Sequence, residues 1–376
     1  MVIENIGNPV VESYIFFIIF VVAILVYIRG KRKEDVGFPP SLTNELKGWA
    51  TIFVVASHIG YFLFANHQFL YPLSNIAGVG VDLFLFLSGF GLVSSAYRKP
   101  LSIGQFYKKR LSKIFISLWL VLIGFLLLDK FLLNITYPWQ KIAESFLGIF
   151  RTADIFNDIN SPLWYLTFIF GYYLTFPLIF MSKRPLVSAL LWFLLGYGIT
   201  KVDPSLFSGV MHLYAWHIIA FPLGVWFAGW MNNPPVWLKK LFSRIKAIWL
   251  RLPVWLCWVF RFILLIAAAG AICFWTINPG VGSNKWILQS VSLATVLAII
   301  LVAWLKPFRF RLVEHIGVYS YEIYLLHWPL LYRYDFIFNR LPAGVATAVT
   351  FLWLLVVSIA FNWVANLLYK KILHFK

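Results

Sequence analysis

The chain has 376 residues, 61% hydrophobic and 12% charged, with 37 Phe, 18 Trp and 18 Tyr. That much apolar surface excludes an ordinary soluble domain, and a formal charge of +18 confined to short segments between apolar runs argues against a nucleic-acid surface. The runs, such as YIFFIIFVVAILVYI over 14–28, show no period-two alternation. A β-barrel is thereby excluded, and an all-α polytopic membrane protein remains.

Eleven spans fit the pattern: 13–28, 46–66, 74–97, 114–130, 162–182, 185–200, 211–231, 252–276, 285–305, 314–336 and 345–369. The first carries Glu4 and Glu12 on its leading side and RGKRK behind it. It reads as an anchor over 1–40 with the N-terminus outside, not as a cleaved signal peptide. On that orientation the inner segments hold 23 Lys and Arg against 7 outside, which places the C-terminus in the cytoplasm. The longest connections are the outer 131–161 and the inner 232–251, the latter reading as a basic interfacial helix. Cys257 and Cys273 fall in one predicted helix about 24 Å apart, too far to bridge.

Polar residues inside the spans are the candidates for chemistry. Lys47 and His58 are eleven residues apart, so they share one face of the second span with His58 about 16 Å deeper. The functional reading is a base near mid-membrane; the packing reading is a snorkelling lysine and a histidine bonded across helices. Asp82 follows in the next span, where a carboxylate can orient an imidazole or hold a positive charge. Ser88, in LSGFG, reads as close helix packing. The inner segment 97–115 packs six cations into residues 98–113. Either it is positive-inside bias with lipid contact, or Lys108, Lys109, Arg110 and Lys113 grip a phosphate-rich ligand. Farther along, Trp164 opens a span among interface aromatics, His212 and His217 read as belt or packing residues, and Glu322 and His327 stand five residues apart, poorly aligned on a helix. No spacing matches a metal site, a P-loop or a nucleophile elbow, so no metal is predicted.

Six stretches in order resemble the acyltransferase-3 family of integral membrane acyltransferases: LKGWATIFVVASHIG, GVGVDLFLFLSGF, FYKKRLSKIF, SPLWYLTFIFGYYLTFP, FPLGVWFAG and IGVYSYEIYLLHWPLL. The resemblance covers about 41–369 and makes 41–376 the acyltransferase-like domain, a ten-helix bundle behind one extra N-terminal span. Three departures stand out. Lys47 replaces the family's usual arginine, the inner pair usually given as two arginines reads Arg110 and Lys113, and Ile169 and Phe170 stand where many relatives carry two glutamates. What the resemblance implies is O-acetyl transfer from acetyl-CoA (acyl-CoA) as donor to a hydroxyl of a cell-envelope glycan or related acceptor, in a bacterial cytoplasmic membrane. In this reading His58 is the general base, with Lys47 and Asp82 beside it. Arg110, Lys113, Lys109 and Lys108 hold the coenzyme, and His327, Trp164 and Glu322 contact substrate. Besides these two substrates the partners are membrane lipids, with no nucleic acid. The rival reading is a transporter or flippase of a glycan or small molecule.

Overall fold

A computed structural model describes residues 6–30, 38–62, 68–99, 102–234 and 285–374, with isolated positions between 236 and 270. The predicted span 252–276, the segment 232–251 past Pro234 and both cysteines fall largely or wholly outside these residues. Among the described residues the chain is mostly helical. In order come α1 (Pro9–Val26), α2 (Pro40–Tyr61), α3 (Ala77–Arg98), α4 (Ile103–Leu132), α5 (Trp139–Phe146), α6 (Trp164–Ile179) and α7 (Pro185–Val202). They continue with α8 (Met211–Ala215), α9 (Ala220–Asn232), α10 (Lys285–Leu305), α11 (Arg311–Val318), α12 (Ser320–Tyr332) and α13 (Ala343–His374). Two short strands, β1 (Ile28–Gly30) and β2 (Phe308–Phe310), pair antiparallel and tie the exit of α1 to the entry of α11.

Local chemistry sets the helix starts. The side chain of Asn8 accepts from the backbone N–H groups of Val10 and Val11 at 3.1 and 3.3 Å, and prolines open α1, α2 and α7, where a missing N–H costs nothing. Eight helical segments are long and apolar enough to cross a membrane: α1, α3, α4, Ser161–Ile179, α7, Met211–Asn232, Trp286–Leu305 and Ala343–Lys371. The helix α2 is not among them, because Asn44, Glu45, Lys47 and His58 dilute its hydropathy. It occupies the interior instead, packed against α3 on one side and α11 on the other, with buried residues around most of its circumference. Apolar helices such as α1 and α7 face outward, where lipid tolerates no polar group. The polar helix is thus the central one.

The helix α3 crosses α9 at very close range. A Cβ placed on Gly224 would lie 2.1 Å from the Phe86 carbonyl oxygen, and one on Gly89 would lie 2.4 Å from that of Phe221. Of the small residues in LSGFG, Gly89 serves this crossing, whereas Gly91 meets nothing within 4 Å and Ser88, expected to pack, lines the central cavity instead.

Four predicted elements change shape. The segment 97–115 is no loop from Ile103 onward, because nothing after Pro100 breaks a helix; α4 runs 30 residues and carries its cations in its first turns. The predicted span 46–66 ends at Tyr61, so His58 stands in the last turn of α2 rather than at its middle. The predicted span 314–336 is broken at Tyr319 into α11 and α12, and 211–231 is broken over Trp216–Ile219. The second break has a cause. Pro222 has no N–H to offer the carbonyl four residues earlier, on Ile218, and its ring crowds that carbonyl. The Tyr172 hydroxyl donates to it instead, at 3.4 Å.

Candidate active site

A cavity of about 1120 Å³ runs through the bundle between α2, α3, α4, α6, α12 and the segment around α8. One end is basic, lined by Lys47, Lys109, Arg110 and Lys113. The other end lies under the 131–161 connection and the start of α8, lined by Thr152, Asp154, Gly209 and His212. Trp164, Tyr165, Tyr324 and Trp328 supply aromatic wall between the two.

The helix periodicity of α4 selects the basic end. Lys109, Arg110 and Lys113 fall on the inward arc, one turn of helix. Lys108 lies about 200° round from Arg110, is exposed and does not line the cavity, which corrects its grouping with the other three. Lys47 lies within electrostatic reach of both Arg110 and Lys113. Among the described residues none of these three cations forms an ion pair with a carboxylate. By contrast, Lys306 is paired with the buried Glu45.

Farther along the wall stand two imidazoles, each backed by a second buried group. His58 lines the cavity, and its Nδ1 lies 2.7 Å from Nε2 of His327, which is 0% exposed and not on the wall. Trp328 meets the His58 ring edge-on and Tyr61 lies beside it, both also lining the cavity. His217 lines the cavity in the break between α8 and α9; its Nδ1 donates to Asp82 Oδ1 at 2.7 Å and its ring lies against Trp164. Asp82 also accepts from Ser292 Oγ at 2.5 Å. An imidazole whose Nδ1 is held by a carboxylate keeps its Nε2 directed elsewhere.

Several expectations are thereby corrected. Asp82 orients His217, not His58, because α3 turns its carboxylate toward the α8–α9 break and α10. His217 is no belt residue. Glu322 lies away from the cavity wall, accepting from Asn362 Nδ2 at 2.6 Å, and His327 stands behind His58, so neither is placed to contact a substrate directly. Lys47, His58, Lys109, Arg110, Lys113 and Trp164 line one cavity. Ile169 also lines it.

The wall is held in register by a second proline. Pro329 in α12 leaves the Leu325 carbonyl without its helical N–H, and Asn160 Nδ2 donates to it at 2.8 Å. The Tyr324 hydroxyl donates to the Pro162 carbonyl at 2.6 Å, so α12 and the start of α6 are tied twice. Above them Asp129 accepts from Tyr137 (2.7 Å), Tyr334 (2.6 Å) and Arg333 (2.5 Å), while Arg333 also donates to the Asp158 carbonyl. This cluster fixes the 131–161 connection over the cavity. At the mouth, the side chain of Asn157 and two backbone N–H groups hold the Asp154 carboxyl below its ordinary range, and it stays charged there. Asn160, Tyr172, Ser292 and Asn362 escaped the sequence reading, since each partner lies on another helix. Only the prolines at 222 and 329 gave a signal, as orphaned carbonyls that some donor must meet.

The fold and site define a multi-pass membrane protein with a deep cavity that is cationic at one end and carries two braced imidazoles farther along. The chain belongs to the acyltransferase-3 family: the family's acyltransferase domain matches residues 44–367. It is 29% identical over 324 residues, 81% of each chain, to a protein named Acyltransferase MdmB from Streptomyces mycarofaciens. No solved structure matches it significantly. The chain is accordingly a membrane acyltransferase.

Proposed function

We propose that the chain transfers an acyl group, in the first instance acetyl, from cytoplasmic acyl-coenzyme A to a hydroxyl of a cell-envelope glycan or related acceptor, with His58 as general base. The observation that carries this reading is one cavity holding Lys47, Arg110 and Lys113, with no ion-pair partner among the described residues, at one end and His58 farther along α2. Cations gathered along a cavity without carboxylate partners among the described residues call for an anion, and charge-assisted bonds to phosphate are the strong kind. The rise along α2 from Lys47 to His58 is about 16 Å, the reach of an extended pantetheine arm from its phosphates to its thioester.

The acceptor hydroxyl gives its proton to Nε2 of His58, and its oxygen attacks the thioester carbonyl. The tetrahedral intermediate collapses with loss of the C–S bond, and the thiolate leaves with the proton that His58 holds. Atoms balance without any further group. The aromatic wall and the mouth near Asp154 accommodate the acceptor. With the basic end in the cytoplasm of a bacterial cell, the acyl group reaches the outer half of the membrane on the thioester arm alone. A cavity that reaches both ends of the bundle also suits a transporter, the second reading.

The test is transfer of labelled acetyl from acetyl-coenzyme A to membrane glycan. His58→Ala should lose about 10²–10⁴-fold of the rate at normal abundance. Near wild-type transfer by that variant would remove His58 from the base role, and movement of substrate without coenzyme consumption would favour transport.

A further inference from the structure

We propose that His327 is a positioning residue that fixes the tautomer of His58, leaving Nε2 of His58 as the unprotonated atom that faces the cavity. The proposal rests on the reading of His58 as base, and it follows from which atoms can donate. Nδ1 of His327 lies 2.8 Å from the Tyr324 carbonyl oxygen and 3.2 Å from that of Ile323. A carbonyl only accepts, so the proton of neutral His327 is on Nδ1. A neutral imidazole has one N–H, so Nε2 of His327 carries a lone pair and accepts. Its partner at 2.7 Å, Nδ1 of His58, is then the donor. The one proton of neutral His58 is thereby spent on His327, and Nε2 is left with its lone pair and without a hydrogen-bond partner among the described residues.

The geometry suits a directed bond. The rings lie within 10° of parallel with centroids 5.0 Å apart. With Nδ1 and Nε2 2.7 Å apart, that separation means two rings joined edge to edge in one plane rather than stacked face to face. The same distance rules out a metal between the two atoms, since two Zn–N bonds of about 2.0–2.1 Å at a tetrahedral angle would hold them about 3.3 Å apart. His327 is 0% exposed and off the cavity wall, so it acts only through His58. Tyr61 and Tyr324 are the other titratable groups whose rings meet the pair, and no carboxylate hydrogen-bonds to either imidazole among the described residues. A neutral partner thus does for His58 what Asp82 does for His217. When His58 takes up a second proton on Nε2, its bond to His327 becomes charge-assisted, which stabilises the imidazolium as it forms. Free histidine favours the opposite tautomer, with the proton on Nε2. Without His327 the base would more often carry its proton on the atom that must receive one.

The test compares His327→Leu with His327→Gln in the full chain in lipid nanodiscs, by ¹⁵N resonances of labelled histidine and by steady-state kinetics. The His58 signals are assigned by their loss in His58→Ala. Glutamine keeps an acceptor at the reach of Nε2, and leucine does not. The expected result is a protonated Nδ1 on His58 in the wild type and in His327→Gln, and a shift toward the Nε2-protonated form in His327→Leu. With it, His327→Leu loses at least about tenfold in kcat at little-changed KM for donor, within the span that general-base catalysis covers, and His327→Gln recovers most of that loss. A wild-type His58 protonated on Nε2, an unchanged tautomer in His327→Leu, or equal losses in both variants at equal abundance would each overturn the proposal. If the tautomer shifts as described but His58→Ala still transfers, the base reading falls while the positioning role stands.

Discussion

A carboxylate in the middle of an apolar span needs a partner, and for Asp82 there are two. Both of its oxygens accept, one from His217 and one from Ser292, and it is 0% exposed. Removing it strands two buried donors. Asp82→Ala should therefore destabilise by about 2–6 kcal/mol, at about 1–3 kcal/mol for each unsatisfied group, seen as a lower unfolding temperature in detergent. An unchanged unfolding temperature would mean that water replaces the carboxylate there. At the basic end the consequence is kinetic rather than structural, because Arg110 has no ion-pair partner among the described residues to lose. Arg110→Ala should raise the KM for acetyl-coenzyme A about 10–100-fold at constant abundance, from loss of about 1.5–3 kcal/mol of charge-assisted bonding. An unchanged KM would return the cluster to lipid contact. Lys47→Arg should keep more activity than Lys47→Ala, since it preserves the charge and adds a planar fork for phosphate. What was legible at this scale was whatever lies along one helix: Lys47 and His58 share a face because eleven residues are nearly three turns. The pairings His58–His327 and Asp82–His217 join residues 269 and 135 positions apart, and no periodicity reports on that.

The elements were legible where they face lipid, because there every residue must be apolar and the run announces itself. They were less so inside. Helix α4 begins eleven residues ahead of its predicted start, because the KKR stretch that looks like a loop by charge is built of good helix formers. The α8–α9 break and the carbonyl of α12 left without its helical N–H come from Pro222 and Pro329, and neighbouring side chains meet the freed carbonyls. That rescue can be measured. Asn160→Leu should cost about 1–3 kcal/mol, because it strands the Leu325 carbonyl. In a Pro329→Ala background, residue 329 regains an N–H for that carbonyl, and the same change should cost distinctly less. A double-mutant cycle by thermal unfolding reads the difference; strict additivity would show that Asn160 does not act through Leu325.

At the scale of the whole molecule, the bias of Lys and Arg predicts eleven spans with the N-terminus outside and the basic end of the cavity in the cytoplasm. Single cysteines at Gly7 and Lys371, both at accessible ends of the chain, provide the check. Membrane-impermeant label should reach Gly7→Cys from outside intact cells and Lys371→Cys only after lysis. Labelling of both from the same side would rule out an odd number of spans. Hydropathy finds eight helices long and apolar enough to cross a membrane among the described residues, and three predicted spans are not among them: α2 is diluted by polar residues, 314–336 is broken at Tyr319, and 252–276 falls largely outside the described residues.

That central position of α2 has a consequence for how the protein is made. A segment carrying Glu45, Lys47 and His58 partitions poorly into lipid by itself, whereas α1 before it and α3 after it partition readily. During synthesis α2 therefore has to wait at the insertion machinery until α3 emerges and offers it a protein surface. The residues that would carry out the reaction are thus also the ones that delay membrane entry, so a chain cut before α3 should leave its α2 unburied and exposed to quality-control proteolysis.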